Sequence, residues 1–395
     1  MTRSRLENEI ANVLAAKTVT SSADWYCVFK ARLGMLVAFE SIRDVQGEGT
    51  VGTQLLTCCT AVDPIIQSGL KPHYLDISTR SAAIDPHALS TCGKDMRVAV
   101  LQHTYGIIDV EESRAFVRAA HEKGLVVVED CAHCVGRMAL DEFGAPLADI
   151  SVHSFGIEKV IDTLFGGAIW VNPASPFSEL ASDLAARLSK LPPASTRLSA
   201  LARINRFQLR VLGHVPRGCA LPLRHGLSAC GLFDPAVAEV ERRGGLPYEP
   251  VRPSAHVCEK ALAGLATLGQ NEENRTAVTA VYRERLQNVK GVEIPAAALE
   301  GDPQPLLKFP ILVANTDIAD RVIEAVCSAG YFTSAWYRPE LTPGVLDASA
   351  YSVPHDRSRL AQNDDFIARV ATLPTNIPLA AADSVVDAVL SVVSS

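Results

Sequence analysis

Between Val98 and Val171 the apolar residues fall in short unbroken runs: VAVLQH (98–103), LVVVED (125–130), ADISVHSF (148–155) and GGAIWV (166–171). Such runs, rich in Val and Ile and without polar alternation, predict strands buried on both faces. Between the first two lies VEESRAFVRAAHEKG (110–124), apolar at helical spacing, with Gly124 placed as its C-terminal cap. The stretch 52–78 repeats the plan with a strand, a helix from about Asp63 and a strand at HYLDI. MTRSRLENEIANVLAAK at the N-terminus reads as a helix. Strands alternating with helices predict an α/β fold built on a mostly parallel sheet, with helices on both faces.

The texture changes near Leu184. From Ala185 to Cys230 there are eight Lys or Arg and no acid, interrupted by Pro192 and Pro193. Ser195 and Thr196 are placed to cap a helix running to about Val211. On it Arg203, Arg206 and Arg210 share one face, and Leu198, Leu201 and Leu212 another. Basic amphipathic helices lie on membranes or bind phosphates. More often they cover their own protein, apolar side inward, and that is the expectation here; contact of the 185–230 segment with a membrane surface is not favoured. After Gly244-Gly245 come a helical region (254–289), a strand at LLKFPILVA (306–314), a helix at 317–330 and a terminal helix. The division expected is a large domain, 1–245, carrying a basic insert at about 185–245, and a smaller α+β domain, 246–395.

Composition narrows the classes. With 48% apolar and 21% charged residues over 395 positions the chain is globular. Its net charge of −7 argues against a dedicated nucleic-acid binder. No signal-peptide core or membrane span is apparent, so a cytoplasmic protein with ten reduced cysteines is expected. Cys131-Ala-His-Cys134 lacks the second ligand pair of a zinc site, so no metal is expected.

The candidate chemistry gathers at strand ends. Asp130 closes LVVVED, Ser154 closes the next strand, Lys159 follows five residues later, and Gly166-Gly167 opens the strand after that. Open parallel sheets bind ligands beyond the C-terminal ends of their strands. An acid, a hydroxyl and a lysine there suit pyridoxal phosphate: lysine for its aldehyde, carboxylate for its ring nitrogen, hydroxyl for its phosphate.

The ordered set His103-Thr104-Tyr105-Gly106, Glu129-Asp130-Cys131-Ala132-His133, Ser154-Phe155 through Lys159, and Gly166-Gly167 resembles the DegT/DnrJ/EryC1/StrS aminotransferases. These are fold-type-I pyridoxal-phosphate enzymes, many of which aminate sugars on nucleotide carriers. Weaker similarity runs through 69–86, 274–286, 336–341 and 371–379, leaving out about 185–250. The resemblance implies a large α/β domain with a smaller α+β domain, a homodimer, and pyridoxal 5′-phosphate as cofactor. It makes Lys159 the cofactor lysine, Asp130 the partner of the ring nitrogen, His133 a contact of the ring's 3-oxygen and Ser154 a phosphate ligand. Tyr105 and Arg338 become candidate substrate contacts. Three departures stand out. The family's S-G-T phosphate tripeptide is here Ala31-Arg32-Leu33, with Arg32 or Lys30 as a charged replacement. Cys58 occupies the place of an aromatic that stacks on the ring, in Thr57-Cys58-Cys59-Thr60-Ala61. The G-x-N-x-R segment that reaches a neighbouring subunit is reduced to Tyr248-Glu249-Pro250-Val251-Arg252. Three functions stay open: transfer of an amino group from a glutamate-like donor to a keto sugar; another pyridoxal-phosphate reaction such as elimination, dehydration or carbon–carbon bond formation; and a non-catalytic binding or regulatory protein.

Overall fold

The Val- and Ile-rich runs pair as expected into one sheet. The computed structural model describes residues 3–394. In chain order its first elements are α1 (Arg5–Thr18), β1 (Trp25–Val28), α2 (Ala31–Gln46), β2 (Thr50–Thr53), α3 (Cys59–Gln67) and β3 (Lys71–Tyr74). Then come β4 (Met96–Gln102), α4 (Val110–Glu122), β5 (Val126–Asp130), β6 (Ile150–Ser154) and β7 (Gly167–Val171). The seven strands lie in the order β1-β7-β6-β5-β4-β2-β3. β2 to β6 pair in parallel, while β7 runs antiparallel to both β6 and β1. This is the mostly parallel α/β sheet expected from the sequence.

Alternate side chains of each strand serve opposite layers. Val126, Val128, Ile150 and Val152 meet Phe39 and Ile42 of α2, Val62 of α3, and Leu184 of α5 (Ser178–Lys190). On the other face Leu101 and Val127 pack on Phe116 of α4. Ala168 and Trp170 pack there on Leu14 of α1 and Leu265 of a later helix, α8 (Ala255–Ala266).

The basic segment folds into α6 (Thr196–Gly213) and α7 (Arg217–Ala229). Ser195 caps α6, accepting from the Leu198 N–H at 3.2 Å. Beyond α8 come α9 (Leu268–Leu286), α10 (Ala296–Leu299), β8 (Lys308–Leu312), α11 (Thr316–Ser328), α12 (Ala361–Arg369), β9 (Val370–Pro374) and α13 (Ala382–Val393). β8 and β9 pair antiparallel, and Phe309, Ile311 and Leu373 pack with Tyr282 of α9, Val322 of α11 and Val385 of α13. Two expected boundaries move. The helix expected from Asp63 already starts at Cys59, and the 254–289 region divides into α8 and α9 at Thr267. Among the described residues no helix is long and apolar enough to cross a membrane.

Candidate active site

A cavity of about 320 Å³ opens beyond the C-terminal ends of β5 and β6. Its wall includes Arg32, Cys58, Asp130, His133, Ser154 and Lys159, so six positions singled out from the sequence meet at one place. The loop joining β6 to β7 carries Lys159. Thr163 closes that loop, its N–H and hydroxyl donating to the Phe155 carbonyl at 3.0 and 2.8 Å. The Lys159 Nζ lies 5.3 Å from the centroid of the Trp336 ring. Burial pulls the Lys159 amine below its ordinary range, and Arg32 adds to the effect against the opposing charges of Cys58 and Asp130.

Asp130, at the last position of β5, shows the complementary behaviour. Burial pushes its carboxyl above the ordinary value; the Ala132 N–H (2.9 Å), Lys159 and His103 offset this only in part. The backbone carbonyl of Asp130 accepts from the His103 N–H, so the ends of β4 and β5 are tied together.

His133 is held flat. The Tyr105 N–H donates to its Nδ1 at 3.0 Å, and its Nε2 lies 2.8 Å from the Tyr337 hydroxyl. Because Nδ1 accepts, the neutral ring carries its proton on Nε2. Burial holds its pKa well below the ordinary value, with Lys159 and His103 adding to the effect, so the ring is neutral. It stacks on Trp336 and Tyr337 at centroid distances of 5.4 and 5.7 Å. The HTYG turn makes this contact possible. Tyr105 sits at φ +59° and Gly106 at φ +87°, and a Cβ on Gly106 would stand 2.8 Å from the His133 carbonyl.

Beneath the turn Glu129 is fully buried and accepts from the Ala139 N–H (2.6 Å) and the Ser151 hydroxyl (2.5 Å), with His103 Nε2 at 2.8 Å. Burial works to raise Glu129, but His103 and these donors prevail and hold it below the ordinary range. His103, Glu129 and Cys131 bring possible ligand atoms within 4.8 Å of one another. The three partners of Glu129 make the group a brace between strands.

The N-terminus of α2 faces the other end of the cavity, where Lys30 is the N-cap and no side chain caps the helix. Its first turn approaches the sheet so closely that a Cβ on Gly167 would stand 2.8 Å from the Cα and N of Ala31. Free N–H groups at a helix start form an anion site. The charges around it are already matched. Lys30 pairs with Asp234 at 2.9 Å, and Tyr248 donates to the same carboxylate at 2.9 Å. Arg32 pairs with the fully buried Glu241 and donates to the Ala236 carbonyl at 3.1 Å. Lys30 and Arg32, offered from the sequence in place of the missing hydroxyls, both reach the cavity, and each is paired with an acid from the segment after α7. Ser154 stands at the same wall, accepting from the Gly156 N–H at 3.3 Å.

Cys58 is the N-cap of α3 and accepts from the Thr60 hydroxyl at 3.0 Å. A bond from the Cys59 thiol, with Thr60 and Arg32, outweighs burial and brings its thiol down to about 6.

Three other expectations meet a different arrangement. Tyr105 is fully buried and off the cavity wall; its hydroxyl donates to the Trp336 carbonyl at 2.9 Å and its backbone N–H to His133. Arg338 is likewise off the wall and lies 2.8 Å from Asp320. Arg252, at the end of the altered G-x-N-x-R segment, lies 3.6 Å from Glu7 of its own chain. Sequence reasoning missed Trp336, Tyr337, Asp234 and Glu241. The aromatic pair next to Arg338 was the available signal for the first two; the acids carried none.

Residues 5–178 match the model of the DegT/DnrJ/EryC1/StrS aminotransferase family. The chain is 25% identical over 170 residues to GDP-perosamine synthase of Vibrio cholerae, spanning 42% of this chain and 44% of that protein. The matched stretches thus span less than half the length of the curated relatives. Among solved structures, the sugar aminotransferase CalS13 from Micromonospora echinospora is similar at a TM-score of 0.69 and 21% identity, over 98% of this chain and 92% of that one. NtdA from Bacillus subtilis, solved with bound cofactor PMP, is similar at a TM-score of 0.70 and 16% identity, over 100% and 78% of the two chains. At these identities the structures establish the shared fold.

Proposed function

We propose that this chain, a member of the DegT/DnrJ/EryC1/StrS aminotransferase family over residues 5–178, is a pyridoxal-phosphate-dependent enzyme that moves an amino group from a glutamate-like donor to a keto sugar, carried on a nucleotide and bound by a homodimer. The observation that carries the reading is the placement of Lys159 and Asp130 on one cavity wall, with the neutral ring of His133 beside them. The sugar is supported by the relatives, a GDP-perosamine synthase and a sugar aminotransferase.

The residues present fit the cofactor. Asp130 is a desolvated carboxyl whose charge is incompletely compensated, and a protonated ring nitrogen is the partner it lacks. The uncapped start of α2 and the Ser154 hydroxyl offer donors for a phosphate. When bound, the cofactor supplies an electron sink for negative charge at the carbon that exchanges its amino group. Asp130 keeps the proton on the ring nitrogen. Lys159, its amine lowered by burial, would move a proton between the donor Cα and the cofactor C4′. Trp336 covers the amine and limits access of water, and Tyr105 with Tyr337 fixes the plane of His133.

Absorbance spectroscopy of the reconstituted protein tests this directly. Glutamate should convert the lysine-bound cofactor band to that of the amine form, and Lys159→Ala should abolish the conversion. A cofactor band unmoved by any amino acid would refute amino transfer.

A further inference from the structure

The α6–α7 hairpin carries a surface that neither the core nor the cavity uses. Leu201, Ala202 and Leu212 of α6 are buried, as the amphipathic pattern requires. A second apolar set on the same helix, Ile204, Phe207 and Val211, is exposed, with Phe207 at 67%. Arg203 and Arg210 are exposed beside it and meet no carboxylate among the described residues. In α7 none of the described side chains is buried, and Leu221 is 59% exposed. Thirteen residues that include Pro222, Gly218 and Gly226 are a poor helix in isolation, and most helices owe their stability to a buried face. Exposed apolar side chains on such a hairpin mark an interaction surface.

Charge selects the occupant. Residues 196–229 hold six Arg and no acid, while all 44 acidic residues lie elsewhere in the chain. Two copies of this face meeting each other across a two-fold axis would set arginine against arginine. A nucleic-acid backbone would leave Phe207, Leu221 and Leu223 in water. A bilayer with anionic headgroups satisfies both parts, taking the apolar side chains at its interface and the arginines among its phosphates. We infer that the α6–α7 hairpin docks this protein onto an anionic lipid surface. The segment that follows the hairpin supplies Asp234 and Ala236 to the cavity wall, so docking holds the cavity close to the membrane.

Sedimentation of the full-length protein with vesicles tests the inference, using phosphatidylcholine alone and phosphatidylcholine with phosphatidylglycerol. Binding should need the anionic lipid and weaken as salt rises. Arg203→Gln with Arg210→Gln should weaken it by roughly 30-fold, from about 1 kcal/mol for each arginine near the surface. Phe207→Ser with Ile204→Ser should weaken it at any salt concentration, with far-UV circular dichroism reporting that the chain remains folded. Equal binding to both vesicle types, or to neither, would overturn the inference. So would a change of oligomeric mass in the serine variant, or binding of duplex DNA lost in the glutamine variant in place of vesicle binding.

Discussion

Asp130→Asn should make the cofactor-free protein more stable and the cofactor-bound protein much weaker. The buried carboxyl of Asp130 has a folded-state pKa above its ordinary value of 3.8, with burial as the largest cause. The folded chain therefore keeps this proton to a higher pH than the unfolded chain. Its stability falls as pH rises from 3.8 through the folded value, and above that the full cost of the buried charge is present. Asparagine keeps an oxygen for the Ala132 N–H and carries no charge. It should stabilise the cofactor-free protein by about 1–3 kcal/mol at neutral pH, the usual scale for an imperfectly satisfied buried polar group. The gain should vanish as pH falls toward 3.8. Cofactor binding should move the other way. Losing one charge of a buried pair costs about 2–5 kcal/mol, or roughly 30- to 4,000-fold in affinity. Urea unfolding of both proteins as a function of pH, followed by titration calorimetry with pyridoxal phosphate, measures the two effects. An asparagine variant less stable than the parent at neutral pH would refute the reasoning, because Asp130 would then be a satisfied structural acid.

Cys58, held down to about 6, should be alkylated by iodoacetamide at a rate that rises through that pH. Peptide mass spectrometry should find it labelled first, Cys58→Ser should remove the fast phase, and pyridoxal phosphate should slow it. Gly167→Ala places a Cβ 2.8 Å from the Ala31 backbone and from the His153 carbonyl, so α2 must move away from the sheet. It should cost about 1–3 kcal/mol in thermal unfolding. It should also weaken pyridoxal phosphate while leaving pyridoxal, which lacks the phosphate, nearly unaffected.

Local signals carried the sheet. Each of the runs near Val98, Leu125, Asp149 and Gly167 became a strand because nothing but a doubly covered sheet buries an unbroken Val-Ile stretch. The reversal of β7 was not readable, since an apolar run of this length is compatible with either direction. α3 was placed late because TCCTAVD carries no charged cap; Cys58 holds the N-cap position instead. β9 escaped notice because ATLP is short and gains its burial only by pairing with β8, about sixty residues earlier. Lys159, Asp130, His133 and Ser154 were readable because they end adjacent strands or follow them closely, so sequence spacing becomes distance along one sheet edge. Arg338 and Tyr105 stand off the cavity wall, and their direction was not readable for one reason. A motif says which turn a side chain occupies and not which way it points, and here one points to Asp320 and the other supports His133.

The acids that pair with Lys30 and Arg32 were out of reach of any local reading, because Asp234 and Glu241 lie about two hundred residues away. Their presence changes how an anion is held. Glu241 is fully buried, and a buried charge that loses its partner costs several kcal/mol, so Arg32 and Glu241 are held as a unit. A phosphate arriving at the start of α2 would meet two carboxylates close to the two cations that the sequence offered it. The attraction left for it comes from the uncapped N–H groups of α2 and from the Ser154 hydroxyl, which carry no neutralising partner of opposite charge. On this argument Gly167, which lets α2 come so close to the sheet, should matter more for a phosphate than Arg32. It also explains how the chain can dispense with the S-G-T hydroxyls: backbone donors at a helix start do not depend on side-chain identity. The basic residues of the motif become the clasp that fastens the segment after α7 over the cavity.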